Sequence, residues 1–414
     1  MKVLVIGAGG RCHAIIHALS KSKKVTKIYS APGNAGIASL ATTLNIKETE
    51  VDKLLEFALS NQIDLTIVGP EAALEKGIVD AFQAKGLKIF GPTKAAAKIE
   101  TSKAYAKYIM DKYNIPTASY KTFSNYEEAV EYVKNITYPT VLKYDGLAAG
   151  KGVVIAQNYE EAKSTLYDML VDAEFGTSSV VIEEYLTGPE FSFMCFVDNE
   201  KVYPMQVSQD HKRAYDNDLG PNTGGMGAYS EVPIITDLDK AYALEYIMKP
   251  TALGLVKEGC PFKGVLYGGL MKTPNGIKVI EFNARFGDPE TEVVLPKLKS
   301  DIYDVFCDII DGNKVNLEWD TDYYLGIVMA SKGYPRQYQK GYVIKNLDKV
   351  DATVYHMGTA FNSNKEYITN GGRVLMVVGH GATLAEAKEK ALAAVKQIDC
   401  ENLFYRSDIG HWSL

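Results

Sequence analysis

Paired cysteines are missing from this chain. Its five cysteines, Cys12, Cys195, Cys260, Cys307 and Cys400, are scattered and form no Cys-x-x-Cys. An odd, dispersed set supports neither a disulfide framework nor a thiolate metal site. A basic excess is missing too: 45 Lys and Arg stand against 51 Asp and Glu, a net charge of −6. That balance argues against a general nucleic-acid or anionic-membrane surface, so neither partner is expected. No apolar run reaches the ~18 residues of a membrane span. The opening Met1-Lys2-Val3-Leu4-Val5-Ile6-Gly7 lacks the long apolar core of a signal peptide. A reducing, cytoplasmic setting is the expectation. There is no clear internal repeat and no low-complexity tract.

What is present is an ordinary globular composition, 46% hydrophobic and 23% charged over 414 residues. That length holds two to four domains at roughly 100–200 residues each. Over the first hundred residues, short apolar runs at 3–6, 27–30, 65–68 and 88–90 read as strands. They alternate with helical stretches at 11–20, 52–60 and 72–85. A β-α-β-α alternation predicts a parallel sheet with helices on its faces. Ligand crevices in such sheets lie at the carboxyl ends of the strands. Here those ends carry Gly7, Gly69-Pro70-Glu71 and Gly91-Pro92-Thr93. A helix is expected over 93–112, broken by Tyr113-Asn114-Ile115-Pro116-Thr117. Strand-helix-strand texture follows to 190, then antiparallel strands with interleaved helices to about 319. A last unit over 324–414 includes a helix at 384–396.

Five segments carry chemistry. The turn Gly7-Ala8-Gly9-Gly10-Arg11-Cys12-His13 follows a strand and opens a helix, where backbone N–H groups bind phosphate well. A phosphate site and a structural tight turn both fit it. A dinucleotide site fits poorly, because Cys12 stands where a third glycine belongs. Nor does the second strand, ending Tyr29-Ser30-Ala31-Pro32-Gly33, supply a ribose-binding acid. His13 and His17 share a helix face, with a structural role favoured over a metal site. The second segment, Val141-Leu142-Lys143-Tyr144-Asp145-Gly146-Leu147-Ala148-Ala149-Gly150-Lys151-Gly152, is a hairpin lid of small residues between two lysines. Small residues let backbone close over a polyphosphate, and lysine adds point charge.

The third, Val180-Val181-Ile182-Glu183-Glu184-Tyr185-Leu186, runs an apolar strand into two carboxylates and suits a hinge. Its backbone at 184–186 could pair with an adenine edge, and Glu190 with ribose hydroxyls. The fourth sets Gln209-Asp210-His211-Lys212-Arg213 before Asn222-Thr223-Gly224-Gly225, a loop suited to moving over a substrate. The fifth is Glu281-Phe282-Asn283-Ala284-Arg285-Phe286-Gly287-Asp288-Pro289-Glu290. Strand alternation puts Glu281 and Asn283 on one face. A carboxylate beside an amide oxygen is a hard donor pair suited to Mg²⁺. The adjacent Leu270-Met271 is apolar, so no third protein ligand is evident.

Taken in order, these segments resemble the ATP-grasp superfamily, whose ATP elements are a glycine-rich lysine loop, an acidic hinge and a Glu-x-Asn strand. The resemblance narrows to the phosphoribosylamine–glycine ligase (glycinamide ribonucleotide synthetase) family of purine synthesis. It rests on Gly9-Gly10-Arg11, Ala31-Pro32-Gly33-Asn34-Ala35-Gly36, Thr66-Ile67-Val68-Gly69-Pro70-Glu71, the lysine loop, 209–213, 220–230, 281–290 and Thr369-Asn370-Gly371-Gly372-Arg373-Val374-Leu375. It therefore spans nearly the whole chain. Two positions depart from the family pattern: Cys12 replaces a glutamate, and Tyr144 replaces an alanine. By strand parity Tyr144 faces away from Lys143.

The resemblance implies an α/β and α+β multidomain fold. A Rossmann-like parallel sheet would cover 1–102, and a two-lobed ATP-grasp module 103–322, with a lid at 118–190. A small mixed α/β domain would cover 323–414. It implies ATP-dependent joining of glycine to 5-phosphoribosylamine through a glycyl phosphate, giving glycinamide ribonucleotide, ADP and phosphate. Another ATP-grasp carboxylate–amine ligase is the alternative. ATP would be a substrate, Mg²⁺ or Mn²⁺ the metal, and the chain a monomer or weak oligomer. Lys103, Lys143, Lys151, Gly152, Glu183, Glu184, Tyr185, Leu186 and Glu190 are implied for ATP. Glu281 and Asn283 are implied for metal, and Arg285 for charge stabilisation in catalysis. Gly9, Gly10, Arg11, Asn34, Pro70 and Glu71 would hold the phosphosugar. Asp210, Lys212, Asn222, Thr223, Gly224, Gly225 and Asp288 would surround glycine and the amine.

Overall fold

A computed structural model describes residues 1–148, 152–173, 176 and 179–414. The first hundred residues run β1 (Lys2–Gly7), α1 (Gly10–Ser20), β2 (Lys27–Pro32), β3 (Thr42–Thr43), α2 (Val51–Ser60), β4 (Leu65–Val68), α3 (Glu71–Glu75), α4 (Ile78–Gln83) and β5 (Ile89–Phe90). Their five strands form a parallel sheet in the order β3-β2-β1-β4-β5. The central strands β1 and β4 are buried on both faces, as a parallel sheet requires. The expected helix over 72–85 is two helices. Gly77 adopts φ +77°, a left-handed conformation that glycine reaches without a Cβ penalty, and it ends the first turn set.

The expected helix over 93–112 is also divided, into α5 (Lys94–Thr101) and α6 (Lys103–Lys112). Ser102 is extended between them, and its hydroxyl accepts from the Tyr105 N–H as an N-cap. A serine competes for backbone groups this way more readily than it propagates a helix. The break sets Lys103 at the first position of a new helix, pointing toward the crevice.

Next come β6 (Tyr120–Phe123), α7 (Tyr126–Val133), β7 (Thr140–Tyr144), β8 (Val153–Ala156), α8 (Tyr159–Leu170) and β9 (Val180–Glu184). They make an antiparallel sheet, β6-β9-β7-β8, with its own small core. Leu142 and Tyr144 lie in that core, and Lys143 between them points the other way. Tyr144 thus faces away from Lys143, as strand parity predicts.

The chain continues through β10 (Glu190–Asp198), β11 (Lys201–Pro204), β12 (Gln209–Asp210), β13 (Arg213–Tyr215), β14 (Leu219–Asn222), β15 (Gly227–Ser230), α9 (Asp237–Ala243), α10 (Lys249–Lys257), β16 (Lys263–Thr273), β17 (Gly276–Asn283), α11 (Thr291–Val294) and α12 (Ile302–Asp311). Strands β11-β10-β16-β17 form a further antiparallel sheet. The last stretch holds β18 (Tyr323–Ser331), β19 (Thr353–His356), β20 (Thr359–Phe361), β21 (Tyr367–Thr369), β22 (Arg373–Gly381), α13 (Leu384–Val395) and β23 (Leu403–Phe404). Its six-stranded sheet, β12-β15-β18-β22-β19 with β23 on β18, takes two strands from before residue 322. The loop between β12 and β15 is thus anchored to the same sheet as residues 323–414. The molecule is a mixed α/β multidomain protein with one parallel and several antiparallel sheets.

Candidate active site

A cavity of about 400 Å³ opens where these sheets meet. Its floor is β17. The β16–β17 register shifts opposite Gly269 and Leu270, leaving Ile280 without a cross-strand partner. The Ile280 carbonyl turns to accept from the Lys143 amine at 2.9 Å. Such a bulge re-aims a strand beside a site. Beyond it, Glu281 stands opposite Gly269 and Asn283 opposite Tyr267. Gly269 offers no side chain, so Glu281 faces open space.

The ammonium groups at this end are lysines. Lys143 lies 3.1 Å from Glu183, and Lys107, buried beneath them, 3.3 Å from the other Glu183 oxygen. Lys107 also donates to Thr117 at 2.8 Å. Burial lowers its pKa to about 8, with Glu183 opposing that shift. Lys103 donates to the Gly146 carbonyl at 2.9 Å, and burial lowers its pKa as well. Burial alone would raise the Glu281 pKa, but Lys212, Lys143, Lys103 and Arg285 together hold it below the ordinary value. An ionised carboxylate and an amide oxygen on one strand face, ringed by cations, fit a divalent cation that brings further anionic ligands. Among the described residues no group of three or more His, Cys, Asp or Glu is placed to hold a metal by itself.

The opposite end is built from arginines. Arg285, just past β17, sends its Nε to Glu71 at 3.2 Å and its Nη2 to Glu100 at 3.0 Å. Arg11 donates to the Phe286 carbonyl at 2.8 Å, and its backbone N–H donates to Asp288 at 3.1 Å. Arg373, at the start of β22, reaches Asp288 at 3.2 Å and the Gly224 carbonyl at 3.0 Å. Burial would raise the Glu71 pKa, but Arg285 and Arg11 pull it down to about 2. Asp210 and Lys212 join the two ends. Burial raises the Asp210 pKa to about 7, against the pull of Lys212. Thr223 donates both its N–H and its hydroxyl to the Lys212 carbonyl at 2.7 Å, closing the loop onto the same wall.

The structure brings together Arg11, Glu71, Lys103, Lys143, Gly152, Glu183, Asp210, Lys212, Thr223, Gly224, Glu281, Asn283, Arg285 and Asp288. Lys151 lies outside the described residues. The others named from sequence stand off the lining. Glu184 pairs with Lys278 at 3.1 Å, and Tyr185 beyond it is exposed, as is Leu186 in part. Glu190 sits on the rim, bound to Lys212 at 2.9 Å. Gly9 and Gly10 form the turn beneath the arginine end, where a Cβ on Gly10 would meet Glu292. Pro70 precedes α3. Asn34 spends both amide donors on the Ala8 and His356 carbonyls, at 2.6 and 2.8 Å, stitching the first sheet to β19. Asn222 is exposed on β14, and Gly225 has φ +121°, where a Cβ would strike Pro289.

Residue 12 lies beneath the site. The Cys12 thiol is 1% exposed, contacts the Ile6 carbonyl, and burial pushes its pKa up to about 12. Sequence reasoning missed Glu100, Lys107, Tyr267, Glu290 and Arg373, all of which line the cavity. Lys107 was findable, because it follows Lys103 by one helical turn and shares its face. Tyr267 donates to Glu290 at 2.8 Å, a pairing of residues 23 apart that no local pattern signals.

Three family models match in series: phosphoribosylglycinamide synthetase N domain over 1–100, its ATP-grasp (A) domain over 101–291 and its C domain over 324–412. A phosphoribosylamine–glycine ligase of Halalkalibacterium halodurans is 52% identical over 414 residues, covering 99% of this chain and 96% of that one. The chain belongs to the phosphoribosylglycinamide synthetase family. A relative of the same name from Caldanaerobacter subterraneus is 50% identical, with 99% of each chain covered. The crystal structure of the Thermotoga maritima phosphoribosylamine–glycine ligase superposes with a TM-score of 0.88 at 32% identity, covering 99% of this chain and 100% of that one. A biotin carboxylase from Campylobacter jejuni shares the fold, with a TM-score of 0.77 at 14% identity, covering 98% and 92%. The family resemblance read from the motifs is therefore correct. Membership in an ATP-grasp ligase family implies ATP, a divalent metal ion and small-molecule substrates. No helix among the described residues is long and apolar enough to cross a membrane.

Proposed function

We propose that this chain joins glycine to 5-phosphoribosylamine at the expense of ATP, giving glycinamide ribonucleotide, ADP and phosphate. The observation that carries this reading is the division of one cavity into a lysine end around Glu281 and an arginine end around Asp288. A carboxylate is a poor acyl donor, so ATP first transfers its γ-phosphoryl group to the glycine carboxylate. The amine of phosphoribosylamine then attacks the acyl carbon, and phosphate leaves. The protein positions these reactants, neutralises charge and keeps water out.

Lys103 and Lys143 hold the polyphosphate, and Lys151 is assigned there from its place in the lysine loop. Lys107 and Glu183 hold Lys143 in place from below. The hinge segment Glu184-Tyr185-Leu186 offers its backbone to the adenine edge, and Glu190 its carboxylate to the ribose. Glu281 and Asn283 would hold Mg²⁺ or Mn²⁺, which would supply charge neutralisation at the phosphates. Arg285, at the arginine end, balances the phosphoryl charge as it moves to glycine. Lys212, Asp210, Thr223 and Gly224 enclose glycine and the attacking amine, with Asp288. Arg11, Glu71 and the Gly9-Gly10 turn receive the phosphosugar.

The test is ADP release measured across a panel of amino acids, each with and without phosphoribosylamine. Release should require glycine and phosphoribosylamine together. Faster release with another carboxylate, or with an unrelated amine, would assign the chain a different carboxylate–amine ligation.

A further inference from the structure

Segment 405–414 lies across the back of the loop that carries Asp210 and Lys212. Arg406 is fully buried there. Its Nε donates to Asp408 at 2.7 Å, its Nη2 to Asp218 at 3.0 Å and its Nη1 to the Arg213 carbonyl at 3.0 Å. Ser407 donates its N–H and hydroxyl to Asp216, at 2.9 and 2.6 Å. Every one of these partners belongs to the loop 209–227 or to the segment itself.

The decisive contact is with His211, the residue between Asp210 and Lys212. It is 0% exposed. The Gly410 N–H donates to its Nε2 at 2.9 Å, and the Trp412 indole stacks on its ring at 4.0 Å and 7°. Accepting at Nε2 requires the neutral ring, and burial and the nearby Arg406 charge keep its pKa well below the ordinary value. Successive residues of an extended segment face opposite ways. Asp210 and Lys212 line the cavity, while His211 faces the segment 405–414. One peptide therefore carries substrate-facing groups on one side and an anchor on the other.

We propose that residues 405–414 form a strap that fixes where Asp210 and Lys212 stand in the cavity, with His211 and Trp412 as positioning residues. The strap grips His211 from behind, and the Lys212 carbonyl passes that position to Thr223 through its two hydrogen bonds. Its effect on catalysis rests on the reading of Asp210 and Lys212 as the glycine and amine end.

Trp412→Ala removes the stack, and Trp412→Phe keeps a ring in its place. The indole is 39% exposed, so neither change opens the core. Amide hydrogen exchange at 209–227 should quicken in the full-length Ala variant and return most of the way to wild type in the Phe variant, which restores the ring but not the indole N–H that donates to Asp218 at 3.1 Å. The KM for glycine or phosphoribosylamine should rise about three- to tenfold in the Ala variant, with the KM for ATP unchanged. Unchanged exchange overturns the strap, whatever the substrates prove to be. So does an equal rise in the KM for ATP. Faster exchange with all KM values unchanged overturns the assignment of Asp210 and Lys212 to the substrate, and leaves the strap as a purely structural brace.

Discussion

The two ends of the cavity carry different cations. At one end stand Lys103, Lys107 and Lys143, sharing the carboxylates of Glu183 and Glu281. At the other stand Arg11, Arg285 and Arg373, engaged with Glu71, Glu100 and Asp288. Lysine is a flexible point charge, suited to a polyphosphate that arrives with its own metal. Arginine is a planar fork that holds two partners at fixed angles. The arginine end joins residues from positions 11, 71, 100, 285, 288 and 373, so it ties the three matched domains together around one pocket. The lysine end is built mostly on the β6-β9-β7-β8 sheet, α6 and β17.

The largest effect that would test this contrast lies at the lysine end. Glu281→Gln removes the carboxylate proposed to hold the metal and leaves the cations around it without their shared anion. Turnover should fall roughly a thousandfold, and the remaining ADP release should need more Mg²⁺. An unaltered Mg²⁺ requirement would take Glu281 out of the metal site.

The smallest effect lies at the arginine end. Glu292 is fully buried against the Asp288 carboxylate, and no N–H group or hydroxyl donates to either of its oxygens. Burial, and then the Asp288 charge, push its pKa well above the ordinary 4.5. The folded chain thus binds this proton more tightly than the unfolded chain does. Stability from this group is complete below pH 4.5 and declines as the pH rises toward the raised folded value. Glu292→Gln supplies a neutral side chain of the same shape and removes that decline. The melting temperature at neutral pH should rise by about 2–4 °C, and the gain should vanish in acid. A lower melting temperature at neutral pH would show that Glu292 is a needed anion.

Much of this contrast was legible in the chain, and the reasons differ by residue. Glu281 and Asn283 declared their shared face through strand alternation, and the glycine-rich turns marked the crevice at the strand ends. The helix breaks were written less plainly. Ser102 and Gly77 each stop a helix by local chemistry that an apolar period does not register. The bulge at Ile280 depends on the register of β16, which no property of β17 reveals. Asn34 looked like a sugar ligand, yet both its donors are used in holding two sheets together. The resemblance implies Glu183 for ATP without saying how, and in the fold its side chain is the anion between Lys107 and Lys143. Pairings of that kind join separate elements, and only the folded chain brings them within reach.

The division of labour is tested most directly by calorimetric titration of a non-hydrolysable ATP analogue with Mg²⁺ into Lys103→Ala and Arg11→Ala variants. Lys103→Ala should weaken nucleotide binding about tenfold, the loss of one charged hydrogen-bond donor. Arg11→Ala should leave it within about twofold of wild type, since its partners all lie at the far end. Equal weakening in the two variants would contradict a cavity divided into a nucleotide end and a phosphosugar end.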